Sequence, residues 1–295
     1  MPELPDVTVY VEALQRTLRG HPLQRTRIAG INLLRTVEPP PESAHGRRVR
    51  GTRRIGKRVV LEFEDELFFV FHLMIAGRFH WREPDAKLPG RLGLAALDFP
   101  HGTLTLTEAG TKKRASLHVL QGEAALATVG RGGMEPLEMT VKAFGETLKR
   151  ENHTLKRSLT DPRLFSGIGN AYSDEILHRA RLSPLMMSTR LDDESIERLW
   201  KATREILVEW TERIRAEAGD DFPENVTAFR DGMAVHGRYR KPCPTCGAPV
   251  QRIAYADNET NYCARCQTGG RLLADRSLSR LLKEDWPRTI EELEG

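Results

Sequence analysis

The chain has 295 residues, 29% of them charged and 6% aromatic, enough for two domains with a sizeable core. Lys plus Arg exceed Asp plus Glu by 45 to 41, and the isoelectric point near 8.9 leans weakly toward a polyanionic partner. No apolar run approaches the ~18 residues of a membrane span, and the N-terminus lacks the basic and apolar regions of a secretory signal. A cytoplasmic protein with no membrane partner is therefore expected.

The first six residues are Met1-Pro2-Glu3-Leu4-Pro5-Asp6. Methionine ahead of proline is normally removed, which makes Pro2 the terminal residue, a secondary amine beside the Glu3 carboxylate. An α-amino group titrates near ~8, so a useful fraction is neutral and nucleophilic at neutral pH. Attack of such an amine on an aldehyde-like carbon yields an iminium, an electron sink, and Glu3 can pass a proton to a departing oxygen. A frayed end or an edge strand is the plainer reading of the same residues.

Val7, Val11, Leu14 and Leu18 form a helical stripe that Gly20-His21-Pro22 stops. From there to about residue 120, short alternating runs such as 58–64, 67–73 and 102–107 predict antiparallel strands in a sandwich or barrel. Arg47, Arg48, Arg50, Arg53, Arg54, Lys57 and Arg58 crowd one stretch. It reads as a solvated face and also as a patch able to release counterions from a nucleic-acid backbone. Gly130-Arg131-Gly132-Gly133 marks a domain boundary. Helical patterns follow over Val141–Lys149, Leu155–Leu159, Ala171–Arg179 and Asp193–Ala216, the last with acids where its dipole favours them. Gly167 and Gly169 allow a tight approach to the third helix, which Asn170 is expected to cap. Free amides at that end would suit a phosphate, although an ordinary helix–turn–helix joint looks the same.

The four cysteines form two C-x-x-C pairs, Cys243/Cys246 and Cys263/Cys266. Clustered cysteines in a chain without a signal point to metal rather than disulfides. Four thiolates close a tetrahedral site, so one structural Zn2+ without open coordination is expected.

Taken in order, these motifs resemble the formamidopyrimidine-DNA glycosylase / endonuclease VIII family. The resemblance rests on Met-Pro-Glu-Leu-Pro-Asp with its following helix and on Gly133-Met134-Glu135-Pro136-Leu137. It rests further on Gly167-Ile168-Gly169-Asn170-Ala171-Tyr172 with the helix ending at Arg181-Leu182-Ser183-Pro184, and on His236–Pro242 leading into the cysteines. It covers residues 1 to about 267 and implies an α+β fold. The parts would be a β-sandwich with a leading helix (1–130), a helix–two-turn–helix domain (131–235), a four-cysteine zinc finger (236–267) and an extension (268–295). The implied activity is base excision on damaged DNA by a monomeric glycosylase and abasic-site lyase, with Pro2 and Glu3 catalytic. Lys57 would contact phosphate or assist base release, and Asn170 would bind a phosphate flanking the lesion.

The chain departs from the family pattern at several positions. Asp6 replaces the usual glutamate. Ile75, beside Met74, stands where a methionine normally fills the gap left by the flipped base. Thr107–Arg114 lacks the Arg-x-Phe element. Asn258 occupies the place of the finger arginine, with Arg252 and Arg265 nearby. The missing wedge and Asn258 favour, as an alternative, a lyase for abasic or single-stranded DNA; a non-catalytic damage-binding protein is a second alternative, against which Pro2, Glu3 and Lys57 together argue. The recognition loop, expected within Ala216–Val235, leaves oxidised purine, oxidised pyrimidine and abasic site all open. The tail carries a short amphipathic helical pattern over Ser277–Lys283, expected to dock on the protein's own surface.

Overall fold

The computed structural model describes residues 1–110, 112–224, 226, 230–255, 258–274 and 288–294; the pattern at Ser277–Lys283 lies outside these residues. They group into two compact units, residues 1–131 with 210–228, and residues 132–209 with 229–295.

Helix α1 (Leu4–Leu18) opens the first unit. Pro5 stands in its first turn, where a missing N–H costs no helical bond. Of the expected stripe, Val7, Leu14 and Leu18 are fully buried together with Tyr10, while Val11 is half-buried against the same core, as the helical period requires. Eight strands follow: β1 (Arg25–Ile28), β2 (Val49–Ile55), β3 (Arg58–Phe63), β4 (Leu67–His72), β5 (Gly77–Arg82), β6 (Gly93–Phe99), β7 (Gly102–Glu108) and β8 (Ser116–Gln121). They pair antiparallel in two sheets of order β1-β6-β7-β5 and β2-β3-β4-β8.

Aromatic side chains join the layers. Phe71 of β4 meets Phe79 of β5 edge-on at 5.2 Å, and Tyr10 meets Phe79 at 5.6 Å. Such pairs add to the burial of large rings. Strands β3 and β4 read as continuous apolar runs because both their faces are covered. Val59, Leu61, Phe69 and Phe71 face the sandwich core, while Val60, Phe68 and Val70 pack with Leu126 of α2 (Glu123–Ala127).

The β4–β5 connection is tight. Gly77 N–H donates to Leu73 O at 2.8 Å, and Met74 takes the left-handed φ of 53°. A methyl group on Gly77 would overlap the Leu73 carbonyl oxygen.

In the second unit, α3 (Val141–Leu148) is capped by Thr140, whose hydroxyl accepts from Ala143 N–H at 3.2 Å. Helices α4 (Leu155–Thr160), α5 (Asn170–Arg179) and α6 (Asp193–Ala218) follow, close to the ranges expected from sequence. From Trp210 onward the chain counts with the first unit, where Arg215 holds Glu12 through two bonds of 2.9 and 2.7 Å. Cys243 and Cys246 lie on the turn segment before the hairpin of β9 (Gln251–Ala254) and β10 (Glu259–Tyr262), Cys263 caps α7 (Ala264–Thr268), and Cys266 lies within it. The chain returns at α8 (Ile290–Glu294), burying Ile290 against Ile253, Tyr262 and Leu272. No helix among the described residues is long and apolar enough to cross a membrane.

Substituting Gly77→Ala forces the β4–β5 loop out of shape, since the clash is with backbone. Urea unfolding is expected to show a loss of about 2–3 kcal/mol, the range of overpacked sites, and a loss below about 0.5 kcal/mol would contradict this geometry.

Candidate active site and metal centre

In the first unit, Glu3 is the N-cap residue of α1, with extended backbone at φ −115° and ψ −169°. Its N–H donates to Asp6 Oδ2 at 2.9 Å, and its side chain accepts from Asp6 N–H in return. This capping box satisfies two helix-end donors reciprocally. Both carboxylates are buried, with 2% and 1% of their surface exposed. Asp6, the shortened carboxylate, therefore orders the N-terminal segment by gripping the Glu3 amide.

Pro2 is buried as well. The chain-terminal amine, on Met1, is held below its ordinary value of 8.0, chiefly by burial. Glu3 opposes that shift, Arg78 reinforces it, and the charges of Asp6 and Lys57 act on the same nitrogen. Two carboxylates and two cations thus converge on the start of the chain. Lys57 is presented by the tight turn between β2 and β3, where Gly56 takes φ +61°, a conformation that costs glycine no Cβ clash.

Arg78 escaped the sequence reading; its only signal was a lone cation between two buried residues of a strand. Its Nη1 donates to Gly77 O at 2.6 Å and Ile75 O at 3.3 Å, so it braces the β4–β5 loop. At the tip of that loop Ile75 is 58% exposed, an apolar side chain projecting where the wedge was expected. His72 Nδ1 accepts from Met74 N–H at 3.3 Å. Burial, with Arg58 and Lys57 beside it, depresses His72 to about 4, so it is neutral at neutral pH.

Thr111 of the Thr107–Arg114 run lies outside the described residues. The rest of the run wraps the buried Glu108 carboxylate, which accepts from the N–H groups of Arg114 and Ala115 at 2.9–3.1 Å. Much of the arginine-rich stretch is paired within the unit. Arg53 bonds Glu62 and Glu123 at 2.5 Å each, and Arg48 donates to Gly20 O at 2.7 Å. Part of the expected recognition loop also rests here. Phe222 packs on Tyr10 at 6.0 Å, while Glu224 meets His80 at 2.5 Å and Arg82 at 2.7 Å.

In the second unit, the structure corrects the expected cap of α5. Gly169, in extended conformation, is the N-cap, and Asn170 is the first helical residue. Its short side chain points out of the helix, and Nδ2 donates to Glu259 O of β10 at 2.9 Å. Further along α5, Asp174 accepts from Lys156 Nζ at 2.5 Å and faces His236 Nδ1 at 2.8 Å, all three buried. Glu175 accepts from the N–H groups of Ala234, Val235 and His236 at 2.7, 2.9 and 2.9 Å. Burial drives its carboxyl pKa up, and those three donors pull it back.

All four cysteine sulfurs lie within 4.8 Å of one another, with Cys243–Cys266 at 3.9 Å and Cys246–Cys263 at 3.4 Å. A tetrahedral ion with ~2.3 Å metal–sulfur bonds places its sulfurs about 3.8 Å apart, so the set fits one four-coordinate metal. Disulfides are excluded at these separations. Burial pushes the Cys266 thiol up to about 11 and the Cys263 thiol higher; a bound cation is what would keep such sulfurs deprotonated. His178 Nε2 lies 3.3 Å from Cys243 Sγ. Asn258 is exposed at the end of the β9–β10 turn, its carbonyl accepting from Tyr255 N–H at 2.8 Å. Arg252 and Arg240 lie over the Tyr239 ring at 4.4 and 5.2 Å, and Arg265 sits on α7.

Comparison with known proteins identifies the family. Residues 1–115 match the formamidopyrimidine-DNA glycosylase N-terminal domain, 133–218 its H2TH domain, and 240–269 a zinc finger found in FPG and IleRS. The formamidopyrimidine-DNA glycosylase of Thermus thermophilus is 34% identical over 283 residues, covering 92% of this chain and all of that one. The chain belongs to the formamidopyrimidine-DNA glycosylase family. The Heliobacterium modesticaldum family member is 31% identical over 290 residues, 90% of this chain and 100% of its own. An uncharacterized formamidopyrimidine-DNA glycosylase-like protein of Mycobacterium tuberculosis is 37% identical over 151 residues, 51% of this chain and 94% of its own. The Lactococcus lactis glycosylase, solved with DNA containing an abasic site, shares the family fold. Its TM-score is 0.79 at 23% identity, over 90% of this chain and 99% of that one.

The depressed His72 makes stability depend on pH. In the unfolded chain a histidine takes up its proton near ~6.5, whereas folded His72 resists until about 4. The unfolded state binds more protons in that window, so stability falls as pH drops from 6.5 toward 4. His118 and His178 are lowered too and add to the loss, so the variant difference is the relevant quantity. Denaturant midpoints at pH 7 and 4.5 should show His72→Asn losing less than wild type by on the order of 2 kcal/mol. Equal losses would place His72 in water.

Proposed function

We propose that this protein is a bifunctional DNA glycosylase and abasic-site lyase of base excision repair, acting on damaged DNA as a monomer through its N-terminal proline. The observation that carries the reading is the convergence of Glu3, Asp6, Lys57 and Arg78 on a buried terminal amine. Relatives named formamidopyrimidine-DNA glycosylase, matched over about nine-tenths of the chain, support the same class of reaction.

After removal of Met1, the Pro2 nitrogen attacks the anomeric carbon of a nucleotide flipped out of the stack. The bond from that carbon to the base breaks, its electron pair leaves with the base, and the proton that the Pro2 nitrogen sheds neutralises the departing base. Glu3 delivers a proton to the sugar ring oxygen as the ring opens, so the proline nitrogen becomes an iminium. The iminium acidifies the neighbouring 2′ carbon. Loss of a proton there expels the 3′ phosphate by elimination, a second elimination releases the 5′ phosphate, and water returns the free amine. Asp6 serves by fixing the Glu3 backbone, and Lys57 by meeting phosphate next to the reacting sugar. Asn170 binds a phosphate from α5, and Asn258 offers a short polar contact from the finger hairpin. Cys243, Cys246, Cys263 and Cys266 would hold one Zn2+, which folds the finger and takes no part in the chemistry.

A narrower substrate range, abasic or single-stranded DNA, is favoured by the region of Thr107–Arg114. It encloses Glu108 and lacks the Arg-x-Phe element, and Ile75 is an exposed apolar side chain on the β4–β5 loop.

Borohydride trapping on a duplex with one abasic site tests the lyase. Wild type should give a covalent adduct that mass spectrometry maps to the Pro2 nitrogen. Glu3→Gln should bind the same DNA but excise a damaged base at least about 100-fold more slowly, the scale of a lost general acid. Tight, salt-sensitive binding without any adduct, from protein whose terminus is verified as Pro2, would leave a damage-binding protein.

A further inference from the structure

One face of α5 is fastened to the finger segment along its length. Asn170, Asp174 and His178 fall at a spacing of four residues, which stacks them in one row; Glu175 lies alongside. Asn170 reaches Glu259 O at 2.9 Å, Asp174 reaches His236 at 2.8 Å, and Glu175 holds the amides of residues 234–236. His178 ends the row 3.3 Å from Cys243 Sγ, and His178 and Cys243 are 8% and 2% exposed. Nothing in the family resemblance or the cysteine spacing calls for a histidine at position 178.

We infer that His178 is a positioning residue of the metal centre, donating its Nε2–H to the Cys243 thiolate and so tying the bound ion to helix α5. A metal-bound thiolate carries no proton and can only accept, which assigns the proton of this contact to Nε2. The bond draws negative charge off the sulfur. It stabilises the deprotonated ligand, slows release of the metal, and fixes the angle at which Cys243 meets the ion. Because His178 and Asn170 belong to one helix, the same bond helps set the register of the helix end that carries Asn170. Only this last consequence rests on the proposed DNA-binding role of Asn170; the effects on the metal stand without it.

The competing account is that the imidazole merely fills space. His178→Phe keeps a ring and removes the donor, whereas His178→Gln keeps an N–H donor at a similar reach. In full-length zinc-loaded protein, release of the ion to a chromogenic chelator should be about 10-fold faster in His178→Phe and near wild type in His178→Gln. With Co2+ in place of zinc, the sulfur-to-cobalt charge-transfer band should move to lower energy in His178→Phe alone. Backbone hydrogen exchange over residues 170–179 should rise in that variant. Wild-type release and an unshifted band in both variants would overturn the inference, and so would equal impairment of both, since that outcome follows from shape. Wild-type protein loaded with 113Cd gives a reading that needs no variant. The His178 Nε2 proton should show scalar coupling to the metal across the sulfur, and its absence would equally overturn the assignment.

Discussion

Two buried carboxylates share one helix end, and the chemistry proposed for this protein depends on that arrangement. A buried carboxylate is costly unless hydrogen bonds and charges replace its water. Glu3 and Asp6 meet the requirement by capping each other's backbone at the start of α1, where helix amides lack partners and the dipole favours negative charge. Lys57, on the β2–β3 turn, and Arg78, at the start of β5, add positive charge. The result is an N-terminus that is held in place when most termini fray. Pro2 is fixed by the residue that follows it, and Glu3 is fixed by Asp6.

The sandwich supplies the rigid frame for this end. Tyr10 of α1 and Phe79 of β5 pack edge-on, and Phe79 N–H donates to the Tyr10 hydroxyl at 3.4 Å. Arg78 precedes Phe79 in the chain, so the packing that seats the helix also seats a cation near its first turn. The loop before β5 depends on Gly77, which brings Ile75 to the surface beside the same strand. In the second unit the organising element is α5. Its buried polar face is satisfied by the finger and its lead-in, so the metal site and the helix end at Asn170 form one hydrogen-bonded body.

Much of this was legible in the sequence because it is local. The stripe Val7–Leu18, the apolar runs of β3 and β4, and the two C-x-x-C pairs each declare their element within a few residues. What stayed hidden depends on distant partners. Asn170 looked like a cap for its own helix, yet it bonds a carbonyl 89 positions away. His80 gave no sign of Glu224, 144 positions on. Arg78 carries no motif, and its importance appears only once folding brings it toward the terminus. Nor does the cation run show from its spacing that several of its members are spent on carboxylates and carbonyls of their own unit.

The most direct test of the account is the acidity of the terminal amine itself. Protein labelled with 15N-proline and verified to begin at Pro2 can be titrated by nuclear magnetic resonance beside the free peptide Pro-Glu-Leu-Pro-Asp. The account predicts a lower pKa in the folded protein than in the peptide, because Pro2 is buried beside the Met1 amine, which burial and the Arg78 and Lys57 charges lower against Glu3 and Asp6. An equal or higher value would mean a solvated or carboxylate-bound ammonium, and the nucleophile at the centre of this account would be lost.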